Sequence, residues 1–226
     1  MNIKPPPPPP QSSPPPSHSH SLSLSKALPA DATRIAEIHM LAFRSNALLH
    51  VQFPTPESRG ELQEMSLRLK TLADIEQQNT TVLVVRDDDK IPVAFAKWSC
   101  FNPEKNDPES ESESEWIWPR DTNMIALNAW AEITEEARVR VMRDVDCYYH
   151  LSFMGTHPDY ERRGAASKLV KWGMEQCIRH HVPAYLESTL EAAPFYEKLG
   201  FRAIDEVSLE YDEGKVYKEI IFRYDP

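Results

Sequence analysis

One stretch restricts the fold more than any other. Thr80 to Arg86 (TTVLVVR) is β-branched and apolar, Asp87-Asp88-Asp89-Lys90 is a turn, and Ile91 to Phe101 is strand-like again. Such residues fit a pleated, half-buried surface, so the stretch predicts a β-hairpin of two antiparallel neighbours. Downstream, Tyr148 to Thr156 is predominantly apolar and predicts a strand buried on both faces. Arg162 to His180 reads as a helix with Ala166, Leu169, Val170, Gly173 and Cys177 on one face. Ala184 to Thr189 is a strand, Glu191 to Leu199 a short helix, and two final strands flank the Asp212-Glu213-Gly214 turn. Upstream, Leu22 to Leu28 alternates as a short strand, and Asp31 is placed to cap a helix carrying Ile35, Ile38, Leu41 and Ala42. Leu62, Met65, Leu69, Leu72 and Ile75 predict a helix from about Glu57 to Gln78, and a further helix spans about Asn123 to Arg143. A hairpin followed by strands interleaved with helices excludes an all-helical bundle and a pure β-sandwich. The order predicts a mixed α/β domain.

Composition decides what belongs to that domain. Of 20 prolines in 226 residues, nine lie between Pro5 and Pro16. A proline run favours polyproline II and cannot join a helix interior or a sheet, so residues 1–20 are expected to be a disordered tail ahead of a domain at 21–226. The roughly 205 remaining residues can bury one substantial core. The net charge of −10 is also local, since residues 104–115 (EKNDPESESESE) hold six acids and one lysine. That run predicts a solvated, flexible acidic loop at about 102–116. No basic patch offsets it, so nucleic acid is not an expected partner. No apolar stretch approaches the length of about 20 residues a membrane span needs, and the N-terminus lacks a signal-peptide core. Cys100, Cys147 and Cys177 lack metal-ligand spacing, which suits a reducing, cytoplasmic setting and predicts no metal site.

Chemistry concentrates where the strand ending at Thr156 meets the following helix. Pro158 stops the strand, and Glu161-Arg162-Arg163-Gly164-Ala165-Ala166-Ser167 opens the helix. Unpaired N–H groups and the positive dipole end of a first helical turn form an anion site. Small residues there let a phosphate reach the backbone, and Arg162 and Arg163 add charge. Small residues near a helix start also serve plain packing, and this fragment alone leaves the two readings open. A second fragment, Glu191-Ala-Ala-Pro-Phe-Tyr-Glu-Lys-Leu-Gly-Phe-Arg202, is a short helix ended by Gly200 and leading into a strand.

Together the fragments resemble the GCN5-related N-acetyltransferase (GNAT) superfamily. Its cofactor-loop motif, Gln/Arg-x-x-Gly-x-Gly/Ala, is matched by Glu161 to Ala166, and its later Phe-Tyr-Glu-Lys-x-Gly-Phe motif by Phe195 to Phe201. Pro29 to Ile38 is similar to the family's first strand–helix junction, and the pattern from Leu22 to Tyr224 resembles fungal members without an assigned substrate. The resemblance implies a mixed, mostly antiparallel sheet flanked by helices, with splayed strands forming an acetyl-CoA cleft. It implies acetyl transfer from acetyl-CoA to a small-molecule or peptide amine. The final strands can pair within a monomer or across a homodimer. Arg162, Arg163, Gly164, Ala165, Ala166 and Ser167 would cradle the pyrophosphate. Met154, Gly155 and Thr156 would pair with the pantetheine arm, and Tyr196 would give a proton to the departing thiolate. Two departures stand out, namely Glu161 in place of Gln or Arg, and Thr189 where the family often has a cofactor-binding Asn. They motivate the alternative of a non-catalytic acyl-CoA-binding or partner-binding module. A scaffold recruiting an SH3- or WW-type partner through Pro5 to Pro10 is a third reading.

The amine needs a base. His150, eleven residues before Glu161, occupies the position where histone-directed members carry Glu and arylalkylamine-directed members His. Alternation places it on one strand face with Ser152, Met154 and Thr156. It reads either as the general base or as a hydrogen-bonded core histidine, with Glu187 as the alternative carboxylate. Other features have plain expectations: Cys177 is core, His180 and His181 sit at a helix C-terminus, and Trp98, Trp116, Trp118 and Trp130 are packing aromatics. Ser110, Ser112 and Ser114 lie in a solvated spacer.

Overall fold

A computed structural model describes residues 21–102 and 117–226. The proline-rich segment and most of the acidic stretch, including Ser110, Ser112, Ser114 and Trp116, lie outside the described residues. The seven strands are β1 (Ser23–Lys26), β2 (Thr80–Arg86), β3 (Pro92–Phe101), β4 (Tyr148–Thr156), β5 (Ala184–Thr189), β6 (Arg202–Tyr211) and β7 (Lys215–Tyr224). They form one sheet in the order β1-β2-β3-β4-β5-β7-β6. Every neighbouring pair is antiparallel except β4 and β5. The helix α1 (Ala32–Ala42) joins β1 to α2 (Ala47–Gln52), α3 (Pro56–Glu61) and α4 (Arg68–Glu76). Beyond the hairpin come α5 (Met124–Val141), α6 (Ala165–His180) and α7 (Ala193–Lys198).

The pleat sorts the core into two layers. On one face Val85, Trp98, Tyr149 and Leu151 pack against Leu169, Val170 and Cys177 of α6 and Tyr196 of α7. On the other, Val84 and Phe95 meet Ile35 and Ile38 of α1, while Tyr148, Tyr185 and Ile221 meet Ala137 of α5. Neighbours in sequence thus serve opposite layers, as a strand covered on both sides requires. For β4 this holds from Tyr148 to Leu151 and lapses beyond, where Phe153 is 39 % exposed. No helix among the described residues is long and apolar enough to cross a membrane.

The structure corrects several local expectations. Asp31 does not cap α1 with its side chain. Its carboxylate accepts from the Leu28 N–H at 2.7 Å and pairs with Arg86 at 2.6 Å, which pins the start of α1 to β2. The helix expected over 57–78 carries a π-helical turn at Leu62–Leu67. One extra residue in a turn rotates everything downstream. Thr71 and Asp74 therefore face inward, and Leu69, expected in the apolar stripe, is 39 % exposed. The short α2 was absent from the sequence pattern, and it is capped by Asn46, whose side chain accepts from the Leu49 N–H at 3.1 Å. The helix expected from Arg162 begins at Ala165, because Arg162 and Gly164 take left-handed φ values of 58° and 87°.

Candidate functional site

The parallel pair β4 and β5 is laddered only through Tyr149↔Ala184, His150↔Tyr185 and Leu151↔Leu186. Past Leu151 the strands fork. Ser152 to Thr156 keep β3 on one side and lose β5 on the other, while β5 continues to pair with β7 through Thr189↔Glu219. The backbone of Met154-Gly155-Thr156 thus presents a strand edge with no partner across the fork among the described residues.

A bulge aims that edge. Lys97 of β3 opposes Phe153 and Trp98 opposes Leu151, so Ser152 is an extra residue in β4. An inserted residue reverses the side-chain phase beyond it. Tyr149, Leu151 and Met154 all join the α6 layer. His150 meets Tyr185 edge-on at 5.2 Å in the opposite layer, where Phe153 lies tilted against His39 of α1 at 5.1 Å. His150 and Met154 therefore point to opposite faces, contrary to simple alternation. Gly155 sits where a Cβ would lie 2.8 Å from the Phe95 ring and 3.2 Å from the Ala42 side chain.

At the fork's α6 side, His157 N–H donates to the Val93 carbonyl at 2.8 Å, and a 3₁₀ turn at Pro158–Tyr160 leads toward the helix. The Tyr160 hydroxyl donates to Asp87 of the hairpin turn at 2.8 Å, and the Arg163 guanidinium lies 5.0 Å over the Tyr160 ring. These contacts fix the approach to α6. Gly164 caps α6 without a side-chain acceptor, and the Lys168 N–H makes the first bond of the turn, to the Gly164 carbonyl. The N–H groups through Ser167 precede the first helical acceptor and are left for an outside group. Arg162, Arg163 and Gly164 are exposed, Ala166 and Ser167 half-buried and Ala165 buried. Glu161 is exposed in the same loop. The loop motif thus ends in an exposed, positively poled helix start without a side-chain cap.

Tyr196 lies in the same buried cluster as Leu151 and Leu186, the last pair before the fork. Burial, reinforced by the charge of Glu219, pushes its phenol above the ordinary value, so it keeps its proton at neutral pH. Thr189 ends β5 and is tied to the α7 approach by the Ala192 N–H, which donates to its carbonyl at 3.1 Å.

On the opposite face, His150 Nε2 and Glu187 Oε2 are 2.9 Å apart, bridging the two strands at the fork. Burial alone would raise the Glu187 carboxyl. The charge and hydrogen bond of His150, with Tyr185, outweigh it and hold the group below the carboxylate's usual value. With Glu187 ionised, its Oε2 accepts from the Nε2–H of His150. Sequence reasoning placed His150 and Glu187 as alternatives, and the fold makes them partners. It missed Glu219, Tyr217 and Asn46 altogether. The Tyr217 hydroxyl donates to Glu219 Oε1 at 2.5 Å, and Asn46 Nδ2 donates to the Tyr217 oxygen at 2.9 Å. The available signal was an acid in phase with Tyr217 and Ile221 on an inward face of β7.

Several residues are set aside by the geometry. Cys177 is fully buried and burial pushes its thiol up to about 12, which leaves it unreactive. His180 bonds the Tyr149 hydroxyl through Nδ1 at 2.9 Å. Trp98 is core and its Nε1–H donates to the Leu169 carbonyl at 3.2 Å. Among the described residues no group of three or more His, Cys, Asp or Glu is arranged to hold a metal ion.

A forked parallel pair above a helix start is a recognisable arrangement, and comparison with known proteins bears on it. Residues 123–203 match the family model described as the acetyltransferase (GNAT) domain. The architecture of almost the whole described chain is shared with solved acetyltransferases. The chain has the GNAT fold. A Corynebacterium glutamicum protein described as histone acetyltransferase HPA2 and related acetyltransferase superposes with a TM-score of 0.59 at 22 % identity, over 91 % of this chain and 97 % of that one. The Drosophila melanogaster polyamine N-acetyltransferase, which forms N-acetylagmatine, gives a TM-score of 0.62 at 14 % identity, over 91 % and 100 %. PaiA N-acetyltransferase from Thermoplasma acidophilum, solved with coenzyme A, gives 0.55 at 11 %, over 91 % and 99 %. On this GNAT fold, the segments singled out by the sequence, Glu161–Ser167 and Phe195–Phe201, fall at α6's start and around α7, both beside the fork.

Proposed function

We propose that the protein is an acetyl-CoA-dependent N-acetyltransferase that acts on primary amines. The observation that carries this reading is one juxtaposition at the β4–β5 fork. An uncapped helix start and a protonated Tyr196 lie on one side, and the His150–Glu187 pair lies on the other. The relatives described above support the donor, since one was solved with coenzyme A, and an amine acceptor, since another forms N-acetylagmatine. Bound here, acetyl-CoA would supply a thioester carbon open to attack by an amine.

This chain's residues divide the remaining work. The N–H groups from Gly164 to Ser167, with Arg162 and Arg163, hold a pyrophosphate by charge and hydrogen bonds. The free edge of Met154-Gly155-Thr156 aligns an amide arm as a strand partner, and a backbone N–H there is positioned to polarise a carbonyl. Thr189 flanks that arm at the end of β5. Tyr196 holds the proton a thiolate needs on leaving. His150, oriented by Glu187, accepts the amine's proton at Nδ1, directly or through water.

The test is thiol release from acetyl-CoA over a panel of amines, with acetyl-CoA binding followed by calorimetry. Tyr196→Phe is expected to lower kcat by about 100-fold and leave acetyl-CoA affinity unchanged. Absence of any acetyl-CoA binding by the wild type would sink the reading. Binding without amine-dependent thiol release would instead establish a non-catalytic acyl-CoA module.

A further inference from the structure

The face of the fork that receives the amine carries two carboxylates, and His150 is the one basic side chain among the described residues that pairs with either. Glu187 on β5 is met by His150, and Glu219 on β7 by the Tyr217 hydroxyl alone. The register Thr189↔Glu219 and Glu187↔Ile221 puts both acids on the same face of adjacent strands, two positions apart. The charge of Glu187 raises the cost of ionising Glu219, and no lysine or arginine among the described residues is ion-paired with either. Beside them the fully buried Tyr185 hydroxyl borders Glu187 without a hydrogen bond of normal geometry to any described residue. A fully buried hydroxyl with unmet hydrogen-bonding capacity, beside two acids that no lysine or arginine among the described residues pairs with, is a place for a donor.

The supporting frame is built. Asn46 ties the corner between α1 and α2 to Tyr217, whose ring meets Trp130 of α5 edge-on at 5.1 Å, and Tyr217 seats Glu219. A short polar relay thus runs from the helical cover to the carboxylate, walled by an aromatic pair. Glu219 also senses the far side of the fork, since its charge is felt by Tyr196.

We infer that Glu219, seated by Tyr217 and Asn46, docks the acceptor as its ammonium ion, and that the acceptor is a primary amine lacking a neighbouring carboxylate. This rests on the acyl-transfer reading above and adds to it a substrate class and a residue that selects it. An ammonium group brings the charge and donors that Glu187, Glu219 and Tyr185 lack. An α-amino acid would bring its own carboxylate against two half-buried acids, a like-charge contact that costs affinity. Burial drives the Glu219 carboxyl up to about 7, and an arriving cation favours its ionised form, the proton leaving to solvent, so docking and ionisation reinforce each other. Glu219 thus selects and positions the amine, and His150 takes the proton before attack.

The experiment compares decarboxylated amines with their parent amino acids, tryptamine against tryptophan and agmatine against arginine, on the full-length protein. Thiol release from acetyl-CoA gives kcat and KM, and calorimetry on the CoA-loaded protein gives amine affinity without turnover. The wild type is expected to favour each amine over its amino acid by at least about 100-fold in kcat/KM. Glu219→Gln is expected to raise KM and the calorimetric Kd for the amine about tenfold, leave kcat within about threefold and narrow the preference. Tyr217→Phe, which keeps the ring, is expected to shift KM in the same direction by less. Equal use of amino acid and amine by the wild type, or an unchanged amine Kd in a folded Glu219→Gln, overturns the assignment. Amine binding that depends on Glu219 without any acyl transfer would uphold the docking role and defeat the transferase reading.

Discussion

Gly173 shows how one missing Cβ holds the site's floor in place. It lies on α6 where an added Cβ would come within 2.2 Å of the Trp98 indole. Trp98 is buried, and its Nε1–H is committed to the Leu169 carbonyl on the same helix. Two effects of Gly173→Ala compete. Alanine improves helix propensity by about 1 kcal/mol, while overpacking a rigid aromatic costs typically about 1–3 kcal/mol or more. A ring without room to rotate makes overpacking the larger effect, so a net loss of about 2 kcal/mol is expected. Urea unfolding reads it directly, and a raised midpoint would show that α6 sits farther from β3 than described. Sequence reasoning named Gly173 as part of an apolar stripe, but the stripe does not say which residue must be smallest. That depends on Trp98, whose distance in sequence hides the contact.

Among elements, β4 carries the largest gap between pattern and structure. Its ends, its burial through Leu151 and its place beside the hairpin follow from apolar residues at the expected spacing. The Ser152 bulge does not, because a phase reversal leaves no mark in composition. The π turn at Leu62–Leu67 escaped for the same reason, and both turn the residues after them to another face. The bulge separates the roles of His150 and Met154, so its removal is a test of the element. Deleting Ser152 would send Phe153 toward α6 or drag Leu151 off it, a loss expected to exceed about 3 kcal/mol and to abolish cooperative unfolding. Ser152→Ala, by contrast, gives up only a bond to the Lys97 carbonyl at the 3.5 Å limit, and is expected to stay within about 0.5 kcal/mol of wild type. Near-UV circular dichroism across a urea titration distinguishes them. A deletion variant that unfolds like the wild type would mean the phase reversal is dispensable.

Across the whole molecule, two buried titrating groups pull stability in opposite directions with pH. Burial pushes His39 down to about 4, among Phe43, Phe95 and Phe153 and beside a cavity lined also by Lys70, Asp74 and Lys97. Because its folded pKa lies below the unfolded value of 6.5, the unfolded chain binds the extra proton first. Its stabilising contribution is thus complete above that value and is lost as pH falls toward 4. Glu219 has the reverse sign. Its carboxyl is raised from 4.5 to about 7 by burial and Glu187, although Tyr217 opposes the shift, so its contribution is complete below 4.5 and lost as pH rises toward 7. Between pH 5 and 7 each moves stability by about 2 kcal/mol, and the two slopes nearly cancel. Asp31, held below its ordinary value because Arg86 and the Leu28 N–H outweigh burial, adds a further loss only at more acid pH. Wild-type Tm is therefore expected to be nearly level from pH 5 to 7 and to fall below pH 4.5. Each single variant should tilt it, Glu219→Gln toward higher Tm at pH 7 and His39→Leu toward higher Tm at pH 5. Thermal melts at the two pH values decide the matter, and a tilt in the same direction for both variants would refute the opposed pair. The same Glu219 that costs stability near neutrality is the carboxylate assigned to dock the amine, so bound tryptamine should raise wild-type Tm more at pH 7 than at pH 5.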